Sequence, residues 1–302
     1  MKEKITDKKV VIYLLVLLCS LFWGFSFLGI TVALEKLAVM QLLAIRWTIA
    51  AVIFIVLGAL KIVKVNFKGK NIKLLLMVGI FQPCIYAIFE TLGIGLTTTS
   101  ESSIFIATIP LAVLLIGTVV LHRKNSKKTI FSIILAVAGV MICIGFAPGF
   151  SIAGKGTGYL ALIGAVIAAA CYSFTSSRAS KEFSTIEITF GMAIMAGVFF
   201  NALSFGMGYG VSGYILCFSD WKLLAGVLFL GTCCSCICYL IFNFVLGKLP
   251  TEIGTNLVTN STTAIGVLTG CAFAGDDFGW YTVLGLIMTI TGIWISSLPD
   301  KK

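Results

Sequence analysis

Tyr86-Ala-Ile-Phe-Glu90 and Tyr239-Leu-Ile-Phe-Asn243 lie 153 residues apart and follow one pattern, a tyrosine and a polar residue bracketing an apolar run. At the same shift, without a gap, Leu96 falls on Leu249, Leu115 on Leu268, Gly117 on Gly270, Thr129 on Thr282 and Gly139 on Gly292. Residues i and i+4 share a helix face, so each block presents its tyrosine and its polar group to one side. The chain reads as two similar halves, 1–148 and 149–302, each with one polar face in apolar surroundings.

Those surroundings set the class. Of 302 residues, 59% are hydrophobic and 11% charged, with a mean hydropathy of +1.08. Soluble domains run at about 25% charged, and disordered chains are poor in apolar residues. An integral membrane protein remains. Barrel strands alternate apolar and polar residues over about 10 positions, whereas Val10–Leu34 is apolar all round. A helical crossing needs about 20 such residues. Runs between polar breaks predict ten crossings: 10–33, 39–60, 72–93, 101–120, 129–147, 157–177, 187–207, 222–246, 252–273 and 279–298. Five crossings separate the copies of the repeat, an odd number, so the second copy traverses the bilayer in the opposite sense. The expected fold is all-α: ten transmembrane helices as two inverted five-helix repeats, an organisation typical of secondary transporters.

Charge orients this scheme. The net charge of +10 reads as a topology signal and not as nucleic-acid affinity. Of 22 Lys and Arg, only Lys36, Lys155 and Lys222 fall in outside loops and Arg46 within a span; the rest lie inside if both termini are cytoplasmic. The expected location is the plasma (inner) membrane. The first apolar run is too long for the h-region of a cleaved signal peptide, about 7–15 residues. Ten cysteines sit almost wholly in apolar segments, including the Cys233–Cys238 run, and read as small apolar packing residues rather than disulfide partners or metal ligands.

Several short motifs stand in order along the first half: Trp23-Gly24-Phe25-Ser26, then Arg46-Trp-Thr-Ile-Ala-Ala, Glu90-Thr91-Leu92-Gly93, Thr98-Thr99-Ser100, Pro110 and Gly139. With these the chain resembles, over its whole length, an EamA-type member of the drug/metabolite transporter superfamily. The resemblance implies two five-helix repeats and outward movement of amino acids or other metabolites. It has departures: Thr91 where the family often has Asn, Arg123 where it commonly has an acid, and Thr263 at the second-half proline position; Asp276 keeps the second-half acid.

Ionisable groups within spans are costly and mark function by default. Glu90 is expected to meet a cationic part of the substrate or an exchanged proton, or else to be a buried acid bonded to a neighbouring helix such as that of Arg46. Glu101 is a second possible proton site, or an acid at a helix N-terminus; Glu252 reads as a similar cap. Arg46 suits a carboxylate or phosphate, with a structural ion pair or snorkelling toward the outer interface as the alternative. Asn243 and Asn260 are candidate cavity-lining amides. Trp23, Tyr86, Tyr172 and Tyr239 lie inside spans, away from the interfacial aromatic belt, and can stack on substrate or pack the core.

No Walker sequence is present; neither a cofactor nor a metal is expected. The single histidine, His122, lies in a loop, which leaves a membrane enzyme the weakest rival. A channel, a receptor and a scaffold stay open beside a carrier. The expected partners are a small-molecule substrate and lipid, with no nucleic acid, in a monomer or loose homodimer.

Overall fold

The computed structural model describes the backbone of residues 2–97, 99–147, 152, 154–269 and 278–298, and the side chains from Val10 onward except at 31, 99–101, 103 and 297. Glu101, Cys271, Asp276 and Asp277 lie outside the described side chains. All regular structure among the described residues is helical. In chain order the helices are α1 (Lys2–Leu34), α2 (Val39–Ala59), α3 (Ile72–Leu96), α4 (Thr99–Ala107), α5 (Ile109–Leu115) and α6 (Lys127–Gly145). There follow α7 (Gly156–Ala179), α8 (Thr185–Gly206), α9 (Ser212–Ser219), α10 (Trp221–Lys248), α11 (Thr251–Thr269) and α12 (Trp280–Ser297).

Seven helices among the described residues are long and apolar enough to cross a bilayer: α1 from Val10, α2, α3, α6, α7, α8 and α10. Two shorter apolar stretches, Ile104–Val120 and Trp280–Ser296, accompany them. The helix α11 is of another kind. Glu252, Thr255, Asn256, Thr259, Asn260, Thr262 and Thr263 recur along it and all are buried, so its polarity is turned inward and its hydropathy drops for that reason. Lipid-facing positions elsewhere stay apolar and exposed, as at Val52, Leu160 and Val198.

Turns are set locally. Ser184 caps α8 by accepting from the Glu187 N–H, while Glu187 accepts from the Ser184 N–H at 2.8 Å, a reciprocal capping box. Glu187 also takes the Asn66 N–H at 2.9 Å and the Lys70 ammonium at 2.5 Å, tying the loop after α2 to the start of α8. Asp220 caps α10 through the Lys222 and Leu223 N–H groups. Its bond from Lys36, with those backbone donors, holds its carboxyl below the usual range.

The helices pack in antiparallel and crossing pairs: α6 with α12, α2 with α8, α1 with α11 and α3 with α7. The first pair depends on glycine. A Cβ on Gly139 would stand 2.5 Å from the Gly285 carbonyl oxygen and 2.6 Å from the Thr289 nitrogen. A Cβ on Gly292 would stand 2.6 Å from the Ser132 carbonyl oxygen and 2.7 Å from the Ala136 nitrogen. These contacts are reciprocal: 153 residues separate 139 from 292, 132 from 285 and 136 from 289. Thr289 Oγ1 also donates to the Ala136 carbonyl at 3.2 Å. Small residues allow this backbone approach where lipid provides no hydrophobic drive.

Candidate functional site

A cavity of about 610 Å³, open space at its mouth included, lies among α1, α2, α3, α4, α5, α7, α10 and α11. Trp23, Ser26, Phe27 and Ile30 line it from α1, and Arg46 from α2. From α3 come Gln82, Tyr86 and Glu90, on the face that i, i+4 spacing gives. Ile106 and Ile109 add to it from α4 and α5, and Ala169, Ser173, Tyr239, Phe242, Thr259 and Thr262 complete the wall from the second half.

Two of these helices carry wider, underwound turns. In α3 the stretch Ile80–Tyr86 is π-helical and contains Pro83, which has no N–H to give the ordinary α-helical bond. In α10 the stretch Leu230–Ile237 is also π-helical. Such turns recur at functional sites, and both stand beside the cavity. Gln82 donates to the Tyr239 hydroxyl at 2.5 Å, and Tyr86 donates to Glu90 Oε1 at 2.6 Å. Trp23 Nε1 donates to the Cys234 carbonyl at 3.2 Å, and Arg46 Nε to Ser235 Oγ at 2.7 Å. Trp23 stands edge-on to Tyr239, ring centroids 5.3 Å apart.

Arg46 is 5% exposed. The ion pairs among the described residues are Lys36–Asp220, Lys70–Glu187 and Arg123–Glu252. None joins Arg46 to Glu90, so two opposite charges border one hollow without closing on each other. Of the residues expected at a site, Trp23, Arg46, Tyr86, Glu90 and Tyr239 stand together here.

Others stand elsewhere. Asn243, fully buried, accepts from Tyr172 at 2.8 Å and Ser176 at 2.6 Å and donates to Thr189 at 3.1 Å. The face expected to pair Tyr239 with Asn243 thus splits, one side chain at the cavity and the other spent on α7 and α8. Tyr172 packs behind the wall, 5.7 Å from Phe242. Asn260 donates to Asn256 at 2.7 Å, and its Oδ1 is buried without a partner. Glu252, read as a cap, is buried beside Arg123 at 3.5 Å; Arg123 also donates to Thr251 at 3.3 Å and lies over the Phe174 ring at 4.8 Å.

Gln82, Ser173, Thr259 and Ser235 were not singled out from the sequence, and Ser26 entered only within the Trp23–Ser26 motif. Gln82 carried a signal, an amide beside a proline in mid-span. The hydroxyls carried none, since Ser and Thr in membrane helices commonly bond their own backbone, as Ser173 does to Ala169 at 2.9 Å.

Among the described residues, apolar helices of membrane-crossing length enclose a cavity with polar and aromatic side chains in its wall, an architecture that fits a membrane transport protein. The chain belongs to the EamA-like transporter family, whose sequence model matches residues 10–145 and again 156–298. It is 24% identical over 297 residues to uncharacterized transporter YcxC of Bacillus subtilis (strain 168), covering 96% of this chain and 94% of that one. An uncharacterized transporter of Archaeoglobus fulgidus is 23% identical, covering 91% and 94% respectively. A crystal structure of a protein 17% identical covers 95% of this chain and 98% of its own at a TM-score of 0.75; that likeness concerns the fold alone.

Proposed function

We propose that this chain is a secondary carrier that moves small organic solutes bearing both charges, such as amino acids, by alternating access. The observation that carries this reading is the unpaired Arg46 and Glu90 around one aromatic-walled cavity. A guanidinium suits a carboxylate and a carboxylate suits an ammonium, so a zwitterion satisfies both. Trp23, Tyr86 and Tyr239 offer faces to its side chain. Glu90 is also the possible proton site.

The architecture belonging to this reading is ten crossings in two inverted repeats, 1–148 and 149–302. The reciprocal Gly139 and Gly292 contacts support it, as does the family match in two successive segments. A two-fold relation between antiparallel helices generates such paired contacts. At one end of the cavity, Arg123, in the segment between α5 and α6, joins Glu252 of α11 and Phe174 of α7. Glu252 lies seven residues before Thr259, about 10 Å along the helix. That closure releases in the alternate state. The distribution of the basic residues supports cytoplasmic termini; the plasma-membrane location and the outward direction go with the family resemblance.

Cells overproducing the protein are expected to release one or more amino-acid-like solutes that cells carrying Glu90→Gln do not, read by untargeted comparison of culture media. Equal release from both strains removes Glu90 from the site.

A further inference from the structure

Resting on the carrier reading above, we infer that Ser235 is a positioning residue that aims Arg46 at a carboxylate on the transported solute. A guanidinium has five N–H donors in a rigid plane. Arg46 gives its Nε–H to Ser235 Oγ at 2.7 Å, which fixes that plane and leaves the terminal nitrogens as a fork at the cavity. A carboxylate accepts such a fork bidentately.

The approach of α10 to α2 is built for this bond. A Cβ on Gly231 would stand 2.7 Å from the Ile49 Cβ and 3.1 Å from the Arg46 carbonyl oxygen. Only glycine lets the π-helical stretch come so close, and Ser235 follows it four residues on. Ser235 is itself wholly buried. The adjoining Cys234 carbonyl holds the Trp23 indole, so two consecutive residues of the second half orient two cavity side chains of the first. Ser235 is neutral. It sets the direction of a buried cation without neutralising it, and no ion pair among the described residues closes on Arg46. With Glu90 across the same hollow but not in contact, the direct partner of the guanidinium fork is left for the solute to supply.

The test uses proteoliposomes loaded with the twenty common L-amino acids and, separately, with their decarboxylated amines, release being followed by mass spectrometry. The wild type is expected to release at least one amino acid and to prefer it over its own amine. Ser235→Ala is expected to raise KM for that amino acid about tenfold, leaving maximal rate and the KM for the amine unchanged. Ser235→Thr, which keeps a hydroxyl, restores the preference, and Ser235→Cys, matched in size, falls between. A wild type that treats acid and amine alike, or a Ser235→Ala or Ser235→Cys protein with undiminished preference, overturns the role of Ser235. A wild type that releases none of these compounds overturns the carrier reading beneath it, a separate result.

Discussion

Gly139→Leu is expected to yield no folded protein, and Gly139→Ala to lower stability by about 1–3 kcal/mol, the usual cost of overpacking. The added carbon has no room: backbone atoms of Gly285 and Thr289 lie 2.5 and 2.6 Å from where it would stand. Backbone does not swing aside as a long side chain can. The reciprocity of the contact makes a second expectation, that Gly292→Ala is as damaging as Gly139→Ala. Gly58 provides the control, since a Cβ there meets nothing within 4 Å. Gly58→Ala is expected to be neutral or slightly stabilising, because alanine loses less backbone entropy in a helix. Unfolding in detergent titrated with denaturant, alongside the yield of monodisperse protein, ranks the three alanine variants. Equal stability for Gly58→Ala and Gly139→Ala would contradict the packing described for α6 and α12.

Arg46→Gln is expected to lower transport efficiency about 100-fold, some 2.7 kcal/mol at 1.36 kcal/mol per tenfold. Removing one partner of a buried charged contact costs about 2–5 kcal/mol in comparable settings. Arg46→Lys rescues little, because an ammonium cannot present the guanidinium fork. Lys36→Gln, at the exposed pair with Asp220, is expected to change transport less than about twofold, since exposed pairs contribute little. Initial rates in proteoliposomes across a range of solute concentrations separate these outcomes. An Arg46→Gln protein with wild-type efficiency would remove the guanidinium from solute recognition.

What could be read from the sequence followed the range of the forces involved. The helical membrane class rests on composition and run length, which need no partner. Tyr86 and Glu90 share a face through helix geometry alone, and their hydrogen bond in the structure is a local one. Asn243 has the same local setting as Glu90, yet its fate is decided by Tyr172, Ser176 and Thr189, up to 71 residues away. No periodicity records that. Asn260 likewise turns to Asn256 and lies outside the cavity wall. Among the long-range partners, Ser235 was hidden inside a run of cysteines whose apolar character drew attention from it. The π-helical turn at Pro83 was foreshadowed by the missing N–H, whereas Leu230–Ile237 holds no proline and has no comparable mark. In α11, Thr and Asn are dense in the sequence, but which of them face the hollow depends on how α11 packs against α1 and α6.

The account turns on a cavity that serves each side of the membrane in turn, with the solute itself carried through the transition. Counterflow measures this directly. Proteoliposomes preloaded with an unlabelled solute that the wild type releases are diluted into a trace of the same solute carrying a label. A carrier is predicted to accumulate label transiently above equilibrium, and Arg46→Gln to abolish the overshoot. Label that only rises to equilibrium, at a rate indifferent to the preload, would contradict alternating access and leave a pore.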